Sequence, residues 1–418
     1  MIQWFQTASA PTRRTFLRFL VGGAAGSAFV PQALTSAETA AKPKRGKSCI
    51  LLWMNGGPSQ LETFDPKSGE STGGPTRSVE TSVRGVKISA FLPRLAQQME
   101  HLSLIRSLST GEAAHERGRY LMHTGYSPIP GLSFAPLGTV ASYELATVDF
   151  PLPTFVALSA PDIPHSDVFG ETHLPFALRD VKDPVANIRS LESVKRKRRA
   201  RLLQAQEEAF LSARRGREVE RRRAATRKAE DLMTTELLSA FRIEDEPEAV
   251  RERYGGEFGQ QCLLARRLVT AGVPFVEIGL GGWDTHRDNF DKTRKLCTEL
   301  DTGFASLLED LAASGQLSET LILWAGEFGR TPTINGDDGR DHWARCWSVA
   351  LAGGGIQGGR VIGATDKLGM DIASRPVQVE DFFATAYHAL GIDPAEKYTV
   401  SGRKVKYAYG GKPVRELF

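Results

Sequence analysis

The chain has 418 residues, of which 41% are hydrophobic and 24% charged, with a net charge of only +4. That length allows a large core and one or two domains, and the composition is that of an ordinary soluble globular protein. The basic excess is local rather than global, and Cys49, Cys262, Cys297 and Cys346 show no CxxC spacing, so neither a zinc knuckle nor a disulfide scaffold is implied.

The first segment reads as a targeting signal. Thr12-Arg13-Arg14-Thr15-Phe16-Leu17 sets paired arginines before the apolar stretch Phe19–Val30, which is the twin-arginine arrangement. At roughly a dozen residues this stretch is short for a membrane span, which needs about 20. Small residues at Thr35-Ser36-Ala37 offer a cleavage point. The expected division is a signal peptide over 1–37, a loose basic linker over 38–47 and one α/β domain over 48–418. The implied partner is the twin-arginine export machinery, the implied location periplasmic or at the cell surface. No stable transmembrane segment is expected after cleavage, and no nucleic-acid partner.

Cys49–Met54 is an apolar run suited to a central buried strand. It ends in Asn55-Gly56-Gly57-Pro58-Ser59, where glycines let backbone approach a ligand closely. A plain Gly-Pro turn fits that stretch equally well. Residues 66–90 read as a long loop or hairpin. Phe91–Met99 predicts an amphipathic helix, Leu102–Arg106 a strand and Ser107–Gly111 a loop. Ala113–Met122 is helical and closes at Thr124-Gly125. His115 falls in its first turn, where a helix favours anions. Ala135–Glu144 predicts a helix and Thr154–Leu158 a strand, followed by a loop holding His165 and His173.

Residues 191–242 differ from the rest. They begin with the basic run Lys195–Arg199 and repeat apolar residues at helical spacing, which predicts a helical insertion with a solvated charged face. Phe258–Ala271 predicts a helix and Val273–Gly279 a strand. That strand runs into Gly281-Gly282-Trp283-Asp284-Thr285-His286. Asp284 and His286, two residues apart at a strand end, form a workable pair of metal ligands. A long helix over Phe290–Ser314 leads to the strand Leu321–Trp324 and then to Glu327, Arg330, Arg340, Asp341 and His342. Open α/β sheets bind ligands just past the carboxyl ends of their strands, and this stretch fits that rule. A strand over Trp347–Leu351, a turn into Arg360–Gly363, a helix over Pro376–Leu390 and a closing tail complete the chain. The alternation predicts an α/β fold with a large, mostly parallel sheet between helices.

Several motifs occur together in order: GGPSQLETFDPK, HERGRYLMHTG, GWDTH, EFGRTP, GRDHW and LAGGGIQGGRVIGATD. From Lys47 to about Pro394 the chain resembles the bacterial family called domain of unknown function 1501. That family looks like a branch of the alkaline phosphatase and sulfatase superfamily. The resemblance implies a mostly parallel sheet with a metal-dependent hydrolytic site at strand carboxyl ends. It maps a metal pair onto Asp284 and His286, and a late ligand onto His342. Asn55 stands where the superfamily has a first-strand Asp, and Glu327-Phe328-Gly329 where it has Asp-His-Gly. The nucleophile position falls near His115. The resemblance therefore implies Asp284, His286, His342, Asn55 and Glu327 as metal ligands for zinc, calcium or magnesium. It implies His115 as nucleophile or acid, and Glu327 as base. Arg330 and Arg340 would hold the anion, and Ser59 would touch the substrate. The substrate would be a phosphate or sulfate ester, carried on a polysaccharide in one version. The competing expectation is a non-catalytic descendant that binds acidic or sulfated polysaccharide, or a partner at the cell surface.

Overall fold

The computed structural model describes residues 47–178, 231–232 and 234–418. The signal segment, the linker up to residue 46 and the basic run at 195–199 lie outside the described residues. Nine strands form the central sheet: β1 Ser48–Met54, β2 Leu102–Ser109, β3 Phe155–Leu158, β4 Phe176–Leu178, β5 Phe275–Leu280, β6 Thr320–Ala325, β7 Trp347–Ala352, β8 Val361–Ile362 and β9 Val377–Gln378. Their spatial order is β8-β2-β7-β6-β1-β5-β3-β4, with β9 also on β2. Only β7 runs antiparallel to its neighbours. Among the described residues, the α-helices whose bounds are complete are α1 Pro93–Gln97, α2 His115–Thr124, α3 Leu137–Leu145, α4 Glu248–Tyr254, α5 Glu257–Thr270, α6 Asn289–Ala313 and α7 Val379–Leu390.

The period of two along a strand builds both sides of the core. Ile50, Leu52 and Met54 of β1 point to one face, joined by Leu263 and Leu268 of α5 and Leu300 and Leu307 of α6. Cys49, Leu51 and Trp53 point to the other, joined by Leu121 of α2, Val140 of α3 and Phe383 of α7. Every β1 residue is buried, as a parallel strand covered on both faces requires. Each fully buried Leu or Ile contributes about 1.5–3 kcal/mol of apolar transfer. All four cysteines are buried and unpaired. Among the described residues no helix is long and apolar enough to cross a membrane.

The strand β2 runs to Ser109, where a loop was expected after Arg106. The reason is remote: Val377 and Gln378 of β9 pair with Leu108 and Ser109 and extend the ladder. Of the expected hairpin at 66–90, the ribbon Ser78–Glu80 with Lys87–Ser89 forms. The tail folds back as Lys397–Val400 on Arg403–Lys406.

A histidine–carboxylate pair lies inside the core. His123 of α2 and Glu277 of β5 are both buried, with Nε2 and Oε1 3.0 Å apart. Nδ1 of His123 donates to the Arg119 carbonyl at 2.9 Å, so both ring nitrogens face acceptors. Burial pushes the His123 pKa down, but the charge and hydrogen bond of Glu277 and the Arg119 carbonyl outweigh it and raise it. A raised folded value means that this stability is fully present below the unfolded pKa of about 6.5 and is lost as pH rises through the folded value. The urea midpoint is expected to fall as pH climbs above neutrality, and to fall less in Glu277→Gln. Equal slopes in the two proteins would sink this assignment.

Candidate metal centre

Because β1, β5 and β6 are parallel and in register, their carboxyl ends share one rim. Met54 pairs with Leu280, and Trp53 with Ala325. Three loops therefore leave the sheet side by side: Asn55–Ser59, Gly281–Asp288 and the segment from Gly326 onward. Backbone bonds join them. The Trp283 amide donates to the Asn55 carbonyl at 3.3 Å, and the Arg340 amide to the Thr285 carbonyl at 3.1 Å. Gly56 makes the first approach possible. Its φ is +116°, and a Cβ there would lie 2.5 Å from the Asp284 nitrogen. The ribbon Gly329–Arg330 with His342–Trp343 then sets His342 opposite Arg330.

The side chains converge on one atom, Oδ1 of Asp284. His286 Nε2 is 3.1 Å from it, His115 Nε2 3.3 Å and His342 Nε2 3.4 Å. The Nε2 atoms of His286 and His342 are 3.1 Å apart. The other nitrogen of each ring is anchored. Nδ1 of His115 meets Glu327 Oε1 at 2.7 Å, Nδ1 of His286 meets Asp341 Oδ1 at 2.7 Å, and Nδ1 of His342 donates to the Ala113 carbonyl at 2.8 Å. A carbonyl can only accept, and an ionised carboxylate likewise. Each Nδ1 therefore points its N–H at an acceptor, and each Nε2 is turned inward toward Asp284. Two such nitrogens at 3.1 Å repel unless a cation or proton lies between them.

The donor set fits a metal ion. Ligands about 2.0–2.1 Å from one tetrahedral ion stand about 3.3 Å apart from one another, close to the spacings around Asp284. His115, Asp284 and His342 offer ligand atoms all within 4.8 Å of one another. His115 Nε2 is buried and has no hydrogen-bond partner among the described residues. Asp284 is held below the ordinary carboxylate range: burial pushes its pKa up, but the hydrogen bond and charge of Arg330, with His115 and His286, outweigh it. The hydrogen bond to Glu327 raises the His115 pKa, and burial lowers that of His342.

The remaining expected site residues are placed differently. Arg330 is fully buried. Its Nε donates to the Gly57 carbonyl at 3.0 Å, and its Nη2 to Gly56 and to Asp284 Oδ1. It braces Asp284 and does not project a fork toward solvent. Arg340 was expected to hold an anion. It is instead buried against Glu62, with its donors consumed inside the protein. Glu327 lies behind His115, fully buried, and Gly56 N donates to the same Oε1 at 2.9 Å. Asn55 joins the rim through its backbone. Ser59 is only 1% exposed, and its hydroxyl has no hydrogen-bond partner among the described residues. A cavity of about 410 Å³ lined by Ser109, Thr110, Gly111, Arg345, Asp371, Ile372 and Gln378 contains none of these residues. Sequence reasoning gave no role to Asp341, although its neighbour His342 was singled out. The Ala113 carbonyl and the Gly56 amide carry no signal in the sequence at all.

Fold and site define an α/β protein with a histidine-rich, metal-type cluster at the carboxyl rim of a mostly parallel sheet. The chain belongs to the family described as protein of unknown function DUF1501, whose model matches residues 46–418. No curated protein matches the sequence. Among solved structures it is similar to the PsFucS1 sulfatase from Pseudoalteromonas sp., at 12% identity and a TM-score of 0.41, over 84% of this chain and 68% of that one. It is similar to an alkaline phosphatase superfamily protein from Vibrio parahaemolyticus, at 11% identity and a TM-score of 0.39, over 84% and 68%. It is also similar to the phosphonate monoester hydrolase of Agrobacterium radiobacter, at 11% identity and a TM-score of 0.37, over 89% and 77%.

Proposed function

We propose that the protein is a metal-dependent hydrolase of phosphate or sulfate esters. The observation that carries this reading is the convergence of three Nδ1-anchored imidazoles on Asp284 Oδ1. Asp284, His286 and His342 would hold one divalent ion. When bound, such an ion supplies Lewis acidity toward an ester oxygen and lowers the pKa of water.

The chain's own groups supply the rest. The Asp284 side chain is 47% exposed, so the cluster opens to solvent on one side. Helix α2 starts at His115, so its free amides and its dipole favour an anion at the same rim. Arg330 neutralises Asp284 from below and leaves the exposed face to the ligands. Asp341 and Asn335 fix His286: Asp341 Oδ1 accepts from its ring, and Asn335 Nδ2 donates to its backbone carbonyl at 3.0 Å. The twin arginines at the head of the sequence support export in the folded state, to the periplasm or cell surface. A polysaccharide that carries such esters is the substrate class this location suits.

Metal analysis of the purified mature protein tests the reading. About one equivalent of divalent metal is expected per chain, with loss in Asp284→Ala and His342→Ala. A wild-type protein that binds no metal after incubation with zinc, manganese or calcium would end it.

A further inference from the structure

We infer that His115 is a ligand of the ion and that Glu327 is its positioning residue. This rests on the metal reading above and changes what the head of α2 does.

The ring of His115 has one acceptor neighbour on each side. On one side Oε1 of Glu327 takes the Nδ1 proton at 2.7 Å. On the other, Nε2 lies 3.3 Å from Asp284 Oδ1, buried and without a hydrogen bond among the described residues. With Nδ1 held by Glu327, Nε2 is the ring atom left facing the cluster, which is the orientation of a ligand. Nε2 also shares its target atom with His286 and His342, which is the placement of a fellow ligand. The His115 and His342 rings stand edge to face, with centroids 4.3 Å apart, so neither can swing without moving the other.

Glu327 is placed to hold that ring. It is fully buried, and its Oε1 is fixed from a second direction by the Gly56 amide at 2.9 Å. Gly118, one turn into α2, lets the helix settle on it: a Cβ there would lie 3.2 Å from the Glu327 carbonyl and 3.1 Å from the Phe328 ring. A carboxylate that accepts from the distal nitrogen of a ligating imidazole orients the ring and raises its basicity. Loss of such a partner costs about 10–100-fold in metal affinity. Three imidazoles and a single carboxylate suit an ion of the zinc class and not calcium or magnesium, which favour oxygen shells.

The experiment uses the full mature chain, stripped of metal and titrated with Zn²⁺ against a chromophoric chelator, then with Co²⁺ by visible absorption. His115→Ala is expected to weaken Zn²⁺ binding by about a hundredfold and to change the Co²⁺ spectrum. Glu327→Gln keeps the volume and the neutral acceptor. It is expected to weaken binding by about 10–100-fold while preserving the shape of the Co²⁺ spectrum, because the ligand set is unchanged. Urea midpoints of the metal-free proteins separate this from a folding defect. If His115→Ala binds Zn²⁺ as the wild type does, with the same Co²⁺ spectrum, the inference is overturned and the metal site stands without it. If the wild type binds no Zn²⁺, the metal site itself fails. Full binding in the wild type without ester hydrolysis overturns the hydrolase reading and leaves His115 a ligand.

Discussion

Asp284→Ala is expected to abolish specific divalent-ion binding and to lower hydrolysis of p-nitrophenyl phosphate or p-nitrophenyl sulfate by at least about a hundredfold, which corresponds to about 2.7 kcal/mol of barrier. The size of the effect follows from position. Oδ1 of Asp284 is the one atom that all three imidazoles share, and Arg330 Nη2 reaches the same oxygen. Removing it leaves three imidazole nitrogens with no carboxylate among them, and a buried guanidinium whose charge has lost this partner. Asp284→Asn separates two contributions. It keeps the shape and one oxygen ligand but not the charge, so metal affinity is expected to fall less than in the alanine variant. Affinity by chelator competition and rates for both esters are the measurements. An alanine variant that binds and turns over like the wild type would show that the cluster is a satisfied polar surface and not a site.

Much of the fold could be read from local pattern. The strands β1 and β6 are continuous apolar runs bounded by glycine, as strands buried on both faces must be. The long helix α6 follows from its amphipathic spacing. The rule that ligands gather beyond strand carboxyl ends located Asp284, His286 and His342 without coordinates. Other features depend on pairings across the chain that local pattern does not encode. Ser107–Ser109 looked like a loop because its partner strand lies more than 260 residues away, Ser109 to Gln378. His115 could be placed at a helix start, but which ring nitrogen faces Asp284 depends on Glu327, 212 positions on. Arg330 and Arg340 looked alike in sequence, both being planar forks in a charged loop. Their donors are taken by carbonyls and carboxylates that only the folded loops bring near.

Arg340→Met is expected to cost about 3–5 kcal/mol of stability, the range for removing one member of a buried ion pair. Both side chains, Arg340 and Glu62, are fully buried. Nε of Arg340 meets Glu62 Oε2 at 3.0 Å, and Nη2 meets Oε1 at 2.8 Å. The other donors reach the carbonyls of Thr331 at 2.9 Å, Pro332 at 2.6 Å and Thr72 at 2.7 Å. Glu62 accepts further bonds from Asn289 Nδ2 at 3.0 Å and Thr76 Oγ1 at 3.3 Å. All five guanidinium donors are used, so the variant strands a carboxylate and three carbonyls away from water. The double variant Glu62→Leu with Arg340→Met removes both charges, and is expected to lose less than the two single variants added together. Arg340 also precedes Asp341 and His342, and its own amide bonds Thr285 beside His286. The single variant is therefore expected to weaken metal binding as well, although Arg340 touches no ligand. Urea unfolding of the metal-free proteins and Zn²⁺ competition measure the two effects separately. A loss below about 1 kcal/mol would mean that water reaches Glu62, and that the loops around the site are held by something other than this pair.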